Sequence, residues 1–127
     1  MALHAAVRKH APKNSPVPAD EANLAAGARV YRSSCAVCHG LPEQPATPIA
    51  RGLFPKPPAL FEGKGVTDDP PGETYWKAAN GIRLTGMPGF KGALSDAELW
   101  QVSLLLAHAD KLSPSVRKIL SAPAPQS

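Results

Sequence analysis

The chain is poor in cysteine, in aromatics and in long apolar runs, and each shortage narrows what it can do. Cys35 and Cys38 are the only cysteines among 127 residues, so all thiol chemistry is confined to one place. No stretch of about eighteen apolar residues occurs, so the sequence contains no membrane-spanning helix. The apolar core of a secretory signal is missing too. Aromatics make up 6% of the chain, and a core built from side chains alone would be thin. The net charge is +4 and the pI about 9.3. Yet no Lys/Arg run exceeds two residues and no aromatic ladder accompanies one, which argues against nucleic acid as a partner. There is no internal repeat.

What is present is proline and glycine, fifteen and ten residues respectively, which implies short helices and irregular connections. At 13.3 kDa a single domain is expected. Residues 1–19, with Arg8, Lys9, His10 and Lys13 among Pro12, Pro16 and Pro18, read as a basic linker or arm. Residues 20–112 read as the domain and 113–127 as a C-terminal tail, loose from Ser121. Asp20 is a reasonable N-cap for a helix whose buried face is Leu24, Gly27, Ala28 and Tyr31. Glycine inside a helix costs about 1 kcal/mol against alanine, so Gly27 implies a close approach by another helix. The stretch from 41 to 72 reads as one long loop, with Leu53, Phe54, Leu60 and Phe61 as its apolar side chains. A short helix is predicted over 73–80, burying Tyr75, Trp76 and Ala79 and stopping at Gly81. The last helix is announced by a Ser95/Glu98 capping box and a Leu94/Leu99 staple. It is expected to run through Trp100, Ser103, Leu104 and Ala107 to about Leu112, before Ser113-Pro114.

The two cysteines fall in Cys35-Ala36-Val37-Cys38-His39, followed by Gly40. C-x-x-C-H is the spacing of a c-type haem attachment site. The thiols can form thioethers to the two haem vinyl groups, and the adjacent histidine can ligate the iron from below. The competing readings lack support. A thioredoxin-like pair calls for a βαβ pattern, which is absent. Zinc calls for four ligands, and His4, His10 and His108 are scattered. A structural disulfide does not require His39. The face opposite His39 then decides the chemistry. Apart from Met1, Met87 is the only methionine, 48 residues beyond His39, in a tight Gly86-Met87-Pro88-Gly89 turn. A thioether ligand favours ferrous iron and fills the site oxygen would use, which describes an electron-transfer centre. His108 is the rival ligand, in the last helix.

The helix leading into CAVCHG, the GMPGF loop and the capped final helix occur in one order, over roughly 20–112. In these features the chain resembles the class I c-type cytochromes, of the small bacterial mono-haem kind. The resemblance implies an all-α cytochrome c fold, short helices and long loops wrapped around one covalently bound haem c. Cys35 and Cys38 would be the thioether attachments, with His39 and Met87 the axial ligands. It implies crossed terminal helices with a small residue against an aromatic, places that Gly27, Tyr31 and Trp100 fit. It also implies a proline carbonyl that accepts a hydrogen bond from the proximal histidine. Pro58-Ala59-Leu60 matches that segment, with Pro58 the acceptor and Leu60 against the haem; Pro48 and Pro55 are alternatives, because the stretch after His39 is long. Trp76 and Arg83 are further contacts to weigh for the propionates, and Lys56, Lys64 and Lys91 for steering an acidic partner.

The function implied is one-electron transfer between respiratory or other redox protein partners, such as a membrane oxidase or dehydrogenase, and not catalysis. The place implied is the periplasmic side of a bacterial inner membrane, with a signal or anchor expected upstream of Met1. Two alternatives stand beside this. One is a haem-based gas sensor with an open distal site. The other is an electron-delivery domain tethered to a larger redox enzyme, to which the basic arm points.

Overall fold

The computed structural model describes residues 11, 14–42, 44–45, 47–53, 57–63, 65–82, 85 and 87–122. Among these residues every regular element is helical and none is a strand. His4, His10, Phe54, Pro55, Lys56, Lys64, Arg83 and Gly86, with most of the basic arm, lie outside the described residues.

Helix α1, Glu21–Ser34, starts where the Asp20 carboxylate accepts the Asn23 N–H at 2.9 Å. Glu21 in its first turn and Arg32 in its last suit the helix dipole. Its buried residues include Leu24, Gly27, Ala28 and Tyr31, the face its periodicity predicts. A single turn, α2, spans Ala36–His39 and is ended by Gly40, whose φ of +78° suits glycine. The long loop then contains a short helix, α3, Pro48–Gly52, which the sequence reading passes over. Thr47 explains it. Its hydroxyl accepts the Ala50 N–H at 3.1 Å and donates to the Val37 carbonyl, so it caps α3 and ties it to α2. Pro48 is the first residue of α3, where a missing N–H costs nothing.

Helix α4, Pro71–Asn80, begins two residues earlier than the spacing predicts, because Pro71 also sits at its first turn. Ala78 and Ala79 are buried, whereas Tyr75 and Trp76 are half-buried. Helix α5, Asp96–Ala107, has the complete capping box: Ser95 N–H to Glu98 Oε1 at 2.9 Å and Glu98 N–H to Ser95 Oγ at 3.1 Å. It ends at His108 rather than Leu112, and the His108 Nδ1 donates back to the Leu104 carbonyl at 2.9 Å.

The tail assigned to 113–127 needs correcting. Pro114–Ser121 form helix α6, with the Ser113 hydroxyl accepting the Val116 N–H at 3.2 Å. Ser-Pro after a helix suggests a stop, but Ser at the cap followed by Pro in the first turn is equally a helix start. Val116 and Leu120 are buried against the core that contains α1. Ser113 also donates to Glu21 at 2.7 Å, and Arg32 reaches the carbonyls of Ile119 at 2.8 Å and Ala122 at 2.6 Å. Both ends of α6 are therefore fastened to α1, and the two helices run in the same direction.

The largest helix interface is α1 on α5, followed by α4 on α5. At Gly27 a Cβ would collide with the Gln101 backbone and stand 3.1 Å from the Leu105 Cβ. The glycine thus permits the crossing, but its nearest neighbours are a backbone and a leucine rather than Trp100. Trp100 instead stacks on Tyr75, ring centroids 4.2 Å apart, and Tyr31 meets Phe61 edge-on at 4.9 Å.

Candidate haem site

The break between α1 and α2 sets the first half of the site. Cys35 closes α1, its N–H bonded to the Tyr31 carbonyl, and the following turn carries Cys38 and His39 onto one wall. Tyr31, fully buried, donates its hydroxyl to the Gly40 carbonyl just past that turn. Burial first, and the neighbouring Cys35 second, hold the Tyr31 proton well beyond its ordinary range. Burial, then the adjacent Cys38, push the free Cys35 thiol up to about 11. In the unattached chain both groups are therefore neutral at ordinary pH.

His39 Nδ1 lies 2.8 Å from the Pro58 carbonyl oxygen. A carbonyl only accepts, so Nδ1 carries the proton and donates. The neutral ring then keeps its lone pair on Nε2, the tautomer a metal-bound histidine needs. Pro48 opens α3 and plays no such part.

The second half is a loop between α4 and α5. Gly81 and Gly89 form its neck. A Cβ on Gly81 would stand 2.8 Å from Gly89 N and the Met87 carbonyl, and one on Gly89 would stand 2.8 Å from the Ala79 carbonyl. Gly81 also has φ +76°, a conformation that disfavours other residues. Beyond the neck, Phe90 and Lys91 donate to the carbonyls of Ala78 and Ala79 at 2.9 and 3.1 Å, satisfying the open end of α4. Met87 packs against the cluster of Ala78, Ala79 and Leu99.

Cys35, Cys38, His39, Met87, Pro58 and Leu60 all line one cavity, of about 230 Å³. A second cleft shares Cys38, His39 and Pro58, but Cys35 and Met87 belong to the first. Val66, Phe90, Val102 and Leu106 make the first cavity's walls apolar. Two thiols, an imidazole and a thioether around an apolar space form a donor set that fits a covalent haem. Among the described residues, no cluster of three His, Cys, Asp or Glu offers a metal site of the zinc kind.

Not every residue weighed from the sequence arrives here. His108 caps α5 and is not on the cavity wall, and neither is Trp76. Lys91 is exposed. Conversely, Thr74, Lys77 and Thr85 line the cavity without having been singled out. Lys77 falls one turn from Thr74 on α4, a spacing visible in the sequence once the helix is known to face the cavity.

The family model described as cytochrome c oxidase, cbb3-type, subunit III matches residues 22–104. Among solved structures, the chain is similar to one in the Kuenenia stuttgartiensis reducing HAO-like protein complex, with a TM-score of 0.64 and 25% sequence identity. The match covers 77% of this chain and 48% of that one, so this chain spans about half of its length. No curated protein matches the sequence. Cytochrome c domains carry covalent haem c and pass electrons, and they are typically found outside the cytoplasm. No described helix is long and apolar enough to cross a membrane. The chain belongs to the cytochrome c domain family described as cytochrome c oxidase, cbb3-type, subunit III, and its cofactor is haem c.

Proposed function

We propose that this chain is a one-electron carrier whose haem is attached through Cys35 and Cys38 and ligated by His39 and Met87. The observation that carries the reading is the meeting of all four side chains on one apolar cavity, from segments 48 residues apart. When bound, haem supplies the reversible ferric/ferrous couple. The protein's part is to hold and to tune. The Pro58 carbonyl, by accepting the Nδ1 proton of His39, fixes the ring and raises its basicity. Met87 offers a soft, neutral sulfur, which favours the ferrous state and so raises the potential. Leu60 and its apolar neighbours exclude water. Lys77, a cation on the cavity wall, suits a propionate carboxylate.

The chain works on the periplasmic side of a membrane, exchanging electrons with other redox proteins. The tethered reading is favoured over a free carrier by two findings: the family description names an oxidase subunit, and the similar structure is a protein complex. No observation favours a gas sensor.

The test is the absorption spectrum of the haem-loaded protein, with and without carbon monoxide, for the native chain and Met87→Ala. The native protein should show the weak far-red sulfur-to-iron band and ignore carbon monoxide. Met87→Ala should lose the band and bind carbon monoxide readily. A native protein that lacks the band and binds carbon monoxide would put the open-site reading first.

A further inference from the structure

We propose that Thr85 is the positioning residue for Met87: its hydroxyl clasps the two limbs of the distal loop and holds the thioether side chain at the cavity. The inference rests on Met87 being the distal ligand.

A threonine hydroxyl has one proton to give and lone pairs to receive with, and Thr85 uses both. It donates to the Ile82 carbonyl at 2.6 Å and accepts the Met87 N–H at 3.2 Å. Ile82 begins the outward limb and Met87 lies on the returning one, so a single oxygen atom joins them. Two backbone bonds complete the closure, Ile82 N–H to the Met87 carbonyl at 3.3 Å and Thr85 N–H to the Ile82 carbonyl at 3.2 Å. All three residues, Ile82, Thr85 and Met87, line the cavity.

Burial alone does not do this work. Met87 packs against Ala78, Ala79 and Leu99 but is only half-buried, as is Ile82, and Thr85 is exposed, so hydrogen bonds are needed to fix where these residues lie. The neck at Gly81 and Gly89 is fixed to α4, but it lies outside the Ile82–Met87 span. Without the hydroxyl, the Met87 N–H loses its acceptor, and among the described residues of the Ile82–Met87 span Met87 keeps the 3.3 Å bond from the Ile82 N–H. Freeing this limb lets the sulfur leave while the helices stay packed.

The test compares the haem-loaded native protein with Thr85→Val, which keeps the branched shape without the hydroxyl, and Thr85→Ser, which keeps the hydroxyl. Because the side chain is exposed, neither change opens a core cavity. Three readings are taken: exchange of the Met87 amide proton, carbon monoxide binding by the ferrous protein, and the pH at which the ferric sulfur-to-iron band disappears. Loss of one hydrogen bond corresponds to about a tenfold population change. Thr85→Val should therefore exchange the Met87 amide about tenfold faster, admit carbon monoxide about tenfold faster and lose the band about one pH unit lower. Thr85→Ser should behave as native. Thr85→Val indistinguishable from native, or Thr85→Ser as impaired as Thr85→Val, overturns the assignment while leaving Met87 ligation intact. A native protein without the band overturns both.

Discussion

On the His39 side of the cavity the supports include a fully buried tyrosine, whereas on the Met87 side a half-buried loop residue is held partly by bonds within its own loop. Behind His39 stands Tyr31, which is fully buried, holds Gly40 by its hydroxyl and meets Phe61 with its ring edge. Phe61 follows directly on Pro58-Ala59-Leu60, so the segment that receives the His39 proton is backed by the same tyrosine. The Met87 loop has a rigid neck but an exposed clasp. The His39 side thus has a fully buried tyrosine behind its exposed bond to Pro58, whereas the Met87 side combines half-burial against Ala78, Ala79 and Leu99 with an exposed clasp at Thr85. Locally opened states are drawn from regions of the second kind. The Met87 side is therefore the one expected to open first.

Two glycine substitutions would break this contrast most severely. Gly27→Ala drives a methyl group into the Gln101 backbone at the α1–α5 crossing, and Gly81→Ala places one 2.8 Å from three backbone atoms in a left-handed conformation. Each should cost about 3 kcal/mol. Their consequences should differ. In denaturant, followed by helical circular dichroism and by the sulfur-to-iron band, Gly27→Ala should lose both signals in one transition at a lower midpoint. Gly81→Ala should lose the band first and the helices later. Coincident transitions in Gly81→Ala would mean that the loop is not an independent unit.

The same contrast marks what could be read from the sequence. Features written in consecutive residues were legible: C-x-x-C-H at 35–39, Asp20 as a cap, and the reciprocal Ser95 and Glu98. Pro58 and Leu60 came from resemblance, and the structure places both on the cavity. Three features were hidden. Helix α6 was lost because Ser113-Pro114 has the same letters as a stop and a start, and what decides is burial of Val116 and Leu120. The stacking of Tyr75 on Trp100 was hidden because it depends on how α4 lies against α5. Thr85 carried no motif, since a hydroxyl that bridges residues 82 and 87 becomes visible only when the loop has closed.

The buried side can be sharpened through its response to alkali. Burial, first among the causes, raises the Tyr31 pKa above its ordinary 10. Below pH 10 the hydroxyl is neutral in both folded and unfolded chains and contributes no pH dependence. Above it the unfolded chain gives up the proton while the folded one retains it, so stability falls as pH rises, by at most about 1.4 kcal/mol per pH unit. Tyr31→Phe should cost about 1 kcal/mol at neutral pH through the lost bond to Gly40. Its stability should then decline less steeply above pH 10 than that of the native protein. Denaturant titrations of the two haem-loaded proteins between pH 8 and 11.5 provide the comparison. Equal slopes would mean that the buried hydroxyl does not control the alkaline loss.

The smallest effect is expected farthest from the cavity, at the join of α6 to α1. The Arg32 guanidinium donates to the carbonyls of Ile119 and Ala122, which the end of a helix leaves without partners. Arg32→Met keeps an apolar stem against the surface and removes the donors. It should lower stability by about 1 kcal/mol. Because α6 lies beyond the residues 22–104 matched by the family model and contributes no residue to the cavity wall, the potential and the sulfur-to-iron band should stay at native values. A shift in either would show that α1 transmits strain from its outer face to Cys35, and the division between a core-supported and a loop-supported side would have to include α6.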